Sequence, residues 1–169
     1  MRDTDARRIR THLIALLGGA DAHLDFDAIV ARFPVELRSV TPRGAVHSAW
    51  QLLEHLRIAQ WDILEFSRNP DHVSPTFPAG YWPSSDTPAD EKAWEQSVHA
   101  FRSDREALKE LVANESTDVL APIPHGTGQT LFRECFVVAK HNSYHLGQLV
   151  LLRRLLDVWQ EDGNRTIKI

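Results

Sequence analysis

Apolar residues along this chain recur at spacings of three and four, the period of helices with one buried face. From Thr4 to Leu17 the stripe is Ile9, Leu13 and Leu16; Asp3 or Thr4 would cap this helix and Gly18-Gly19 would end it. A short helix over Asp25–Phe33 is expected to stop before Pro34, and Pro34–Gly44 reads as a linker. A second long helix spans about His47 to Ser67. Its stripe of Ser48, Leu52, His55, Ala59, Asp62 and Phe66 is widened by Leu53, Leu56, Ile63 and Leu64, and Asn69-Pro70 terminates it. Pro70–Pro88 is a proline-rich stretch holding Tyr81-Trp82-Pro83. A loop of that length is uncommon inside a compact domain and often functional. It can run the length of a bundle, so helices two and three are expected to lie parallel.

The third helix is expected to open with Thr87 as N-cap, Pro88 as first residue and Asp90-Glu91 in the first turn. Trp94, Val98, Phe101, Leu108, Leu111 and Val112 form its buried face. After a loop over Asn114–Gly128, the fourth helix is expected from about Gln129 to Trp159. Leu131, Cys135, Val138, Asn142, His145, Leu149, Leu152, Leu156 and Trp159 alternate at four and three along it, a heptad-like seam. No strand pattern or internal repeat intervenes. Four long helices with one apolar face each predict an all-α four-helix bundle, a single domain over residues 1–169, with a long crossover loop between helices 2 and 3.

Composition narrows the function classes. Hydrophobic residues at 43% and charged residues at 25% exclude disordered and collagen-like chains. A net charge of −4 supplies no electrostatic footprint for nucleic acid. Cys135 is the one cysteine, which excludes an intramolecular disulfide and a Cys-rich zinc finger. The charged N-terminus lacks the apolar region of a leader peptide, and no apolar run approaches the roughly 20 residues of a membrane span. The expectation is a cytoplasmic protein that binds neither nucleic acid nor membrane.

Histidines interrupt the buried stripes. His145 sits in the helix-four seam where a leucine is expected, and His141 lies four residues before it. Four residues leave two rings roughly 40° apart and about 6 Å along the axis, close enough to reach one cation. His55 repeats the anomaly on helix two. A lone histidine on an apolar face is ordinarily a satisfied core residue. An inward pair with a third histidine on another inward stripe is different, because several buried polar rings without partners are costly. Three such nitrogens suit Zn, Ni, Fe or Mn, with remaining positions open to water or substrate.

The other histidines carry less. His47 reads as a helix-start residue, with a role beside the ligands or as a fourth ligand as the alternative. His12, His23, His72, His99 and His125 lack partners at metal spacing and are expected at the surface. Glu54 points about 100° from His55 and reads as solvated or as a support for the ligands. Neither a His-Glu-x-x-His nor a Glu-x-x-His spacing occurs, which disfavours zincin and di-iron carboxylate chemistry. Cys135 lies about 120° around the helix from His141 and reads as core.

The segment His141-Asn142-Ser143-Tyr144-His145-Leu146-Gly147-Gln148, followed by Leu152-Arg153-Arg154, resembles the His-x-x-x-His-x-Gly-Gln signature of the DinB/YfiT-like superfamily. His47 through Leu56 is similar to its helix-two signature, ending on the third ligand, His55. The resemblance covers residues from about 5 to 159. It implies a bundle of unusual connectivity, a divalent metal on His55, His141 and His145, and a homodimer. Relatives include transferases and isomerases that use low-molecular-weight thiols.

The leading expectation is a metal-dependent enzyme of the thiol S-transferase type acting on a small-molecule substrate, with a low-molecular-weight thiol held as the reactive thiolate. Tyr144, Asn142 and Gln148 are candidate orienting groups, although Tyr144 points about 100° from the histidine pair. The alternatives are a metal-dependent hydrolase, which needs a general base near the metal, and a non-catalytic metal-binding bundle. Asp62 shares the face of His55 but lies about 10 Å along the axis, too far for that base. The Pro70–Pro88 loop, with Tyr81 and Trp82, is expected to cover part of the metal pocket.

Overall fold

The computed structural model describes residues 3–19 and 22–159. It contains α1 (Asp3–Gly18), α2 (Phe26–Val30), α3 (Ala49–Arg68), α4 (Ala93–Ala113) and α5 (Leu131–Leu155), with single 3-10 turns at Val35–Leu37 and Ala79–Tyr81. There is no strand among the described residues, only an isolated bridge between Pro122 and Thr130. The four long helices form the expected bundle, and α1 and α3 each pack against both α4 and α5. Gln60 of α3 reaches the Phe101 carbonyl of α4, and Leu64 shares a cluster with Leu108, so α3 and α4 run parallel. His55 meets His145 and Gln60 meets Asn142, so α5 runs antiparallel to α3. The crossover between α3 and α4 is therefore real. Among the described residues, no helix is long and apolar enough to cross a membrane.

The helix-four seam is inside as expected: Leu131, Cys135, Val138, His145, Leu149 and Leu152 are all buried. The core divides into two clusters. One gathers Phe26, Leu53, Leu56, Trp94, Phe101 and Leu149 around the start of α3; the other gathers Leu13, Leu64, Leu108, Val112, Cys135 and Val138 around its end. Each buried leucine contributes about 1.5–3 kcal/mol by leaving water. A polar layer lies beside the junction. Gln60, 1% exposed, donates to the Phe101 carbonyl at 2.7 Å and accepts from Asn142 Nδ2 at 3.0 Å. This pairing sets the register of α5 against α3, because a slip would strand buried amides.

Helix boundaries differ from the sequence reading in four places. α2 ends at Val30, not at Phe33, and Asp25 caps it from outside. α4 begins at Ala93, not at Thr87-Pro88. Asp90, expected inside the first turn, instead lies before the helix and accepts from the backbone N–H groups of Lys92 and Ala93, both at 2.8 Å. α5 ends at Leu155 although the apolar seam continues to Trp159. Asp157 adopts φ +57°, and the Asp157 and Val158 N–H groups bond to the Arg154 and Arg153 carbonyls, the Schellman arrangement that stops a helix. α1 is already helical at Asp3, so Asp3 and Thr4 lie within it and do not cap it.

The start of α3 is fixed both by its own cap and by the crossover. Ser48 is the N-cap: its hydroxyl accepts from Gln51 N–H, and Gln51 Oε1 accepts from Ser48 N–H, a reciprocal capping box. The same turn holds the far end of the crossover. Trp50 Nε1–H donates to the Ser85 carbonyl at 3.2 Å, and Gln51 Nε2 donates to Asp86 Oδ1 at 2.7 Å.

Candidate metal centre

Three ring nitrogens converge between α3 and α5. His55 Nε2 lies 3.0 Å from His141 Nε2 and 3.1 Å from His145 Nε2. One ligand atom from each of the three histidines falls within 4.8 Å of the others. His145 is buried and the other two are half-buried. The four-residue spacing on α5 and the parallel stripe on α3 thus bring together the residues the sequence singled out.

The hydrogen bonds on the other side of the rings decide what these nitrogens carry. His55 Nδ1 lies 2.8 Å from the Tyr81 carbonyl, and His145 Nδ1 lies 2.7 Å from Gln148 Oε1. The Tyr81 carbonyl can only accept, so His55 Nδ1 is the N–H; with the Gln148 amide oxygen turned towards His145 Nδ1, the proton is assigned there as well. Each Nε2 then presents a lone pair, and two lone pairs face one another at 3.1 Å. Such a contact is repulsive unless a cation or a shared proton sits between them. Protons are disfavoured. Burial pushes all three imidazoles below their ordinary range, and His141 falls to about 4 with the neighbouring His145 and His55 adding to the effect. Nitrogens bound at about 2.1 Å to one ion stand roughly 3.0 to 3.4 Å apart for angles between octahedral and tetrahedral, the range of the two contacts that His55 makes. With all three ligand atoms within 4.8 Å of one another, the cluster could hold a metal ion.

The sequence model of the DinB superfamily matches residues 21–149, a span that includes all three histidines. The chain belongs to the DinB superfamily. No curated protein and no solved structure matches it.

In this DinB bundle the crossover covers one side of the cluster. The Trp82 ring stacks on His55 with centroids 4.0 Å apart and planes 3° from parallel. His47 stacks on the opposite face of Trp82 at 3.9 Å. His47 sits at the helix start, just before the Ser48 cap, and its ring backs the indole rather than joining the three-histidine cluster. Trp82 also packs against the upper core cluster, so it is both wall and plug.

Other expectations change in the DinB structure. Gln148 is an orienting group, but for His145 rather than for a substrate. Asn142 faces Gln60. Tyr144 is 66% exposed and sets its ring edge against His145 at 4.9 Å. Glu54 is buried against Arg57; burial alone would raise its carboxyl, but hydrogen bonds to Arg57 and Ser97 outweigh it and hold it below the usual range. His72, expected at the surface, has a side chain only 6% exposed and bonds Asp62. His12, His99 and His125 are exposed, while His23 is half-buried and bonds Ser143.

Cys135 is fully buried and its thiol is pushed up to about 12 by burial and by Glu134, so it is inert core. Sequence reasoning missed the Tyr81 carbonyl entirely. A backbone acceptor has no residue signature; the only hint was an aromatic pair in a long loop.

Proposed function

We propose that His55, His141 and His145 ligate one divalent metal ion, zinc, nickel, iron or manganese, and that the protein transfers a low-molecular-weight thiol to an electrophilic small molecule. The observation that carries the metal assignment is the pair of Nε2 atoms turned towards each other at 3.1 Å, each ring with an oxygen acceptor behind it at Nδ1. An ion held there supplies Lewis acidity, which keeps a thiol as its reactive thiolate at neutral pH.

The chain's own residues account for the rest of the reading. Tyr81 and Gln148 orient two ligands, and Trp82 walls off one side from water. No carboxylate joins the histidine cluster among the described residues. Asp62 has both oxygens engaged by His72 and Tyr81, and Glu54 is engaged by Arg57. A base for activating water is thus missing from the immediate surroundings, which favours thiol transfer over hydrolysis. Cys135 does not serve as nucleophile, so the sulfur comes from a co-substrate.

A homodimer and a cytoplasmic location belong to the same reading. Tyr144, Leu151 and Leu155 follow helical spacing along α5 and are 66%, 56% and 47% exposed, an apolar stripe that a second copy would cover.

The test has two parts. Untagged protein is analysed for metal content beside its His55→Ala, His141→Ala and His145→Ala variants; each variant is expected to lose most of its metal. Near-full occupancy in any of them refutes the three-ligand site. The loaded protein is then assayed with a panel of small thiols and an aryl halide. Turnover that depends on thiol and metal supports the reading, whereas metal-dependent ester or amide cleavage without thiol replaces it with hydrolysis.

A further inference from the structure

Asp62 lies two helical turns beyond His55 on the same stripe of α3 and is 7% exposed. Its Oδ1 accepts from His72 Nε2 at 2.8 Å and its Oδ2 accepts from the Tyr81 hydroxyl at 2.6 Å. Tyr81 is also the residue whose main-chain carbonyl receives His55 Nδ1–H at 2.8 Å. One carboxylate therefore grips the crossover at two points, and the second point carries the acceptor that sets the tautomer of His55. The intervening segment is exposed over residues 76–80, with Phe77 83% exposed, and its own bonds are local ones, Gly80 N–H to the Thr76 carbonyl at 2.7 Å and Tyr81 N–H to the Pro78 carbonyl at 3.2 Å. A carboxylate buried this far is costly unless each oxygen is satisfied, and both are. The phenol is the donor in this bond, because a carboxylate oxygen accepts.

We propose that Asp62 is a positioning residue for the metal centre: through the Tyr81 hydroxyl it holds the Tyr81 carbonyl against His55 Nδ1, keeping His55 Nε2 unprotonated and aimed at His141 and His145. The connection runs from carboxylate to phenol, through the Tyr81 residue to its own carbonyl, and on to the imidazole. His72 completes the grip by filling the other oxygen and pinning the start of the crossover, where its ring meets the edge of Trp61 at 5.1 Å. The proposal rests on the metal reading for its consequence but not for its geometry.

Two variants separate positioning from mere stabilisation. Tyr81→Phe removes the hydroxyl and keeps the ring and carbonyl; Asp62→Ala removes the acceptor. Imidazole nitrogen shifts of the metal-free protein report the tautomer of each histidine, and competition with a chromophoric chelator reports zinc affinity. Both variants are expected to move His55 from a pure Nδ1–H form to a mixture with Nε2–H and to weaken zinc about tenfold. His145, held by Gln148, should keep its tautomer. The double variant should bind zinc no more weakly than Asp62→Ala, because both changes break one chain of contacts. A lower melting temperature with the His55 tautomer unchanged and zinc affinity within twofold of the parent overturns the proposal. If Asp62→Ala does not fold, Tyr81→Phe decides alone by the same two readouts. If the parent protein binds no zinc, nickel, iron or manganese, the metal reading fails, and the His55 tautomer still decides whether Asp62 positions the ring.

Discussion

Gln148→Leu should weaken metal binding while leaving metal-free stability nearly unchanged. In the parent, Gln148 Oε1 accepts from His145 Nδ1–H at 2.7 Å, which leaves a bare Nε2 facing the bare Nε2 of His55. Leucine keeps the bulk and removes the acceptor. His145 is then free to carry its proton on Nε2, where the 3.1 Å contact with His55 becomes an ordinary N–H···N hydrogen bond. The bond lost at Nδ1 and the bond gained at Nε2 are each worth about 0.5–1.5 kcal/mol net, and a lone-pair repulsion is relieved as well. The metal-free variant should therefore unfold within about 1 kcal/mol of the parent, or be slightly more stable. Metal binding must now displace that proton and orient an untethered ring. Loss of such a supporting hydrogen bond lowers affinity about 10- to 100-fold, or roughly 1.4 to 2.7 kcal/mol. Urea unfolding of chelator-treated protein and zinc competition titrations measure the two quantities. Affinity unchanged within twofold, or a metal-free protein destabilised by more than about 2 kcal/mol, would refute the lone-pair account of the site.

Trp82→Ala should lower stability by roughly 2 to 3 kcal/mol, as expected for a half-buried indole that packs on the core, and should also weaken zinc binding with helix content intact; a thermal loss with unchanged zinc affinity would make Trp82 a core plug only. At Asp27, burial works to raise the carboxyl, but hydrogen bonds and charge from Arg102 and Arg105 outweigh it and hold the group below 3.8. A depressed carboxyl stabilises above its unfolded value and loses that contribution as pH falls through the folded one. Parent and Asp27→Asn melting temperatures should therefore differ above pH 3.8 and converge below it, and a difference that persists at lower pH contradicts the pairing. Sedimentation at low micromolar concentration should give about 38 kDa, twice the 19.2 kDa chain; a clean species at chain mass rejects the dimer.

Local patterns carried much of the molecule. The four-three spacing on α5 identified both the buried seam and the two histidines that violate it, because a helix maps sequence spacing directly onto a face. His55 was legible for the same reason, and the length of the crossover implied parallel α3 and α4. Helix ends were less legible. The Trp159 end of the seam looked apolar and continuous, yet Asp157 in a left-handed conformation stops the helix, and Asp carries a weaker stop signal there than Gly. At α4, Thr87-Pro88 looked like a good start, but Asp90 supplies the acceptor for the first free N–H groups.

Spacing within each helix was enough to place His55, His141 and His145 on inward faces and to predict a bundle around them. The proton position on His55 was decided by a tertiary contact, whereas that on His145 depends on Gln148, three residues on along the same helix. Tyr81 is 26 residues from His55 along the chain, and its contribution is a carbonyl that every residue possesses. Asp62 and His72 became partners when the crossover folded back on α3, which turned an apparently distant carboxylate and a surface histidine into a buried anchor. Periodicity reports which face a side chain occupies; which atom meets it across a loop depends on the path of the chain, and that path exists only in the folded molecule.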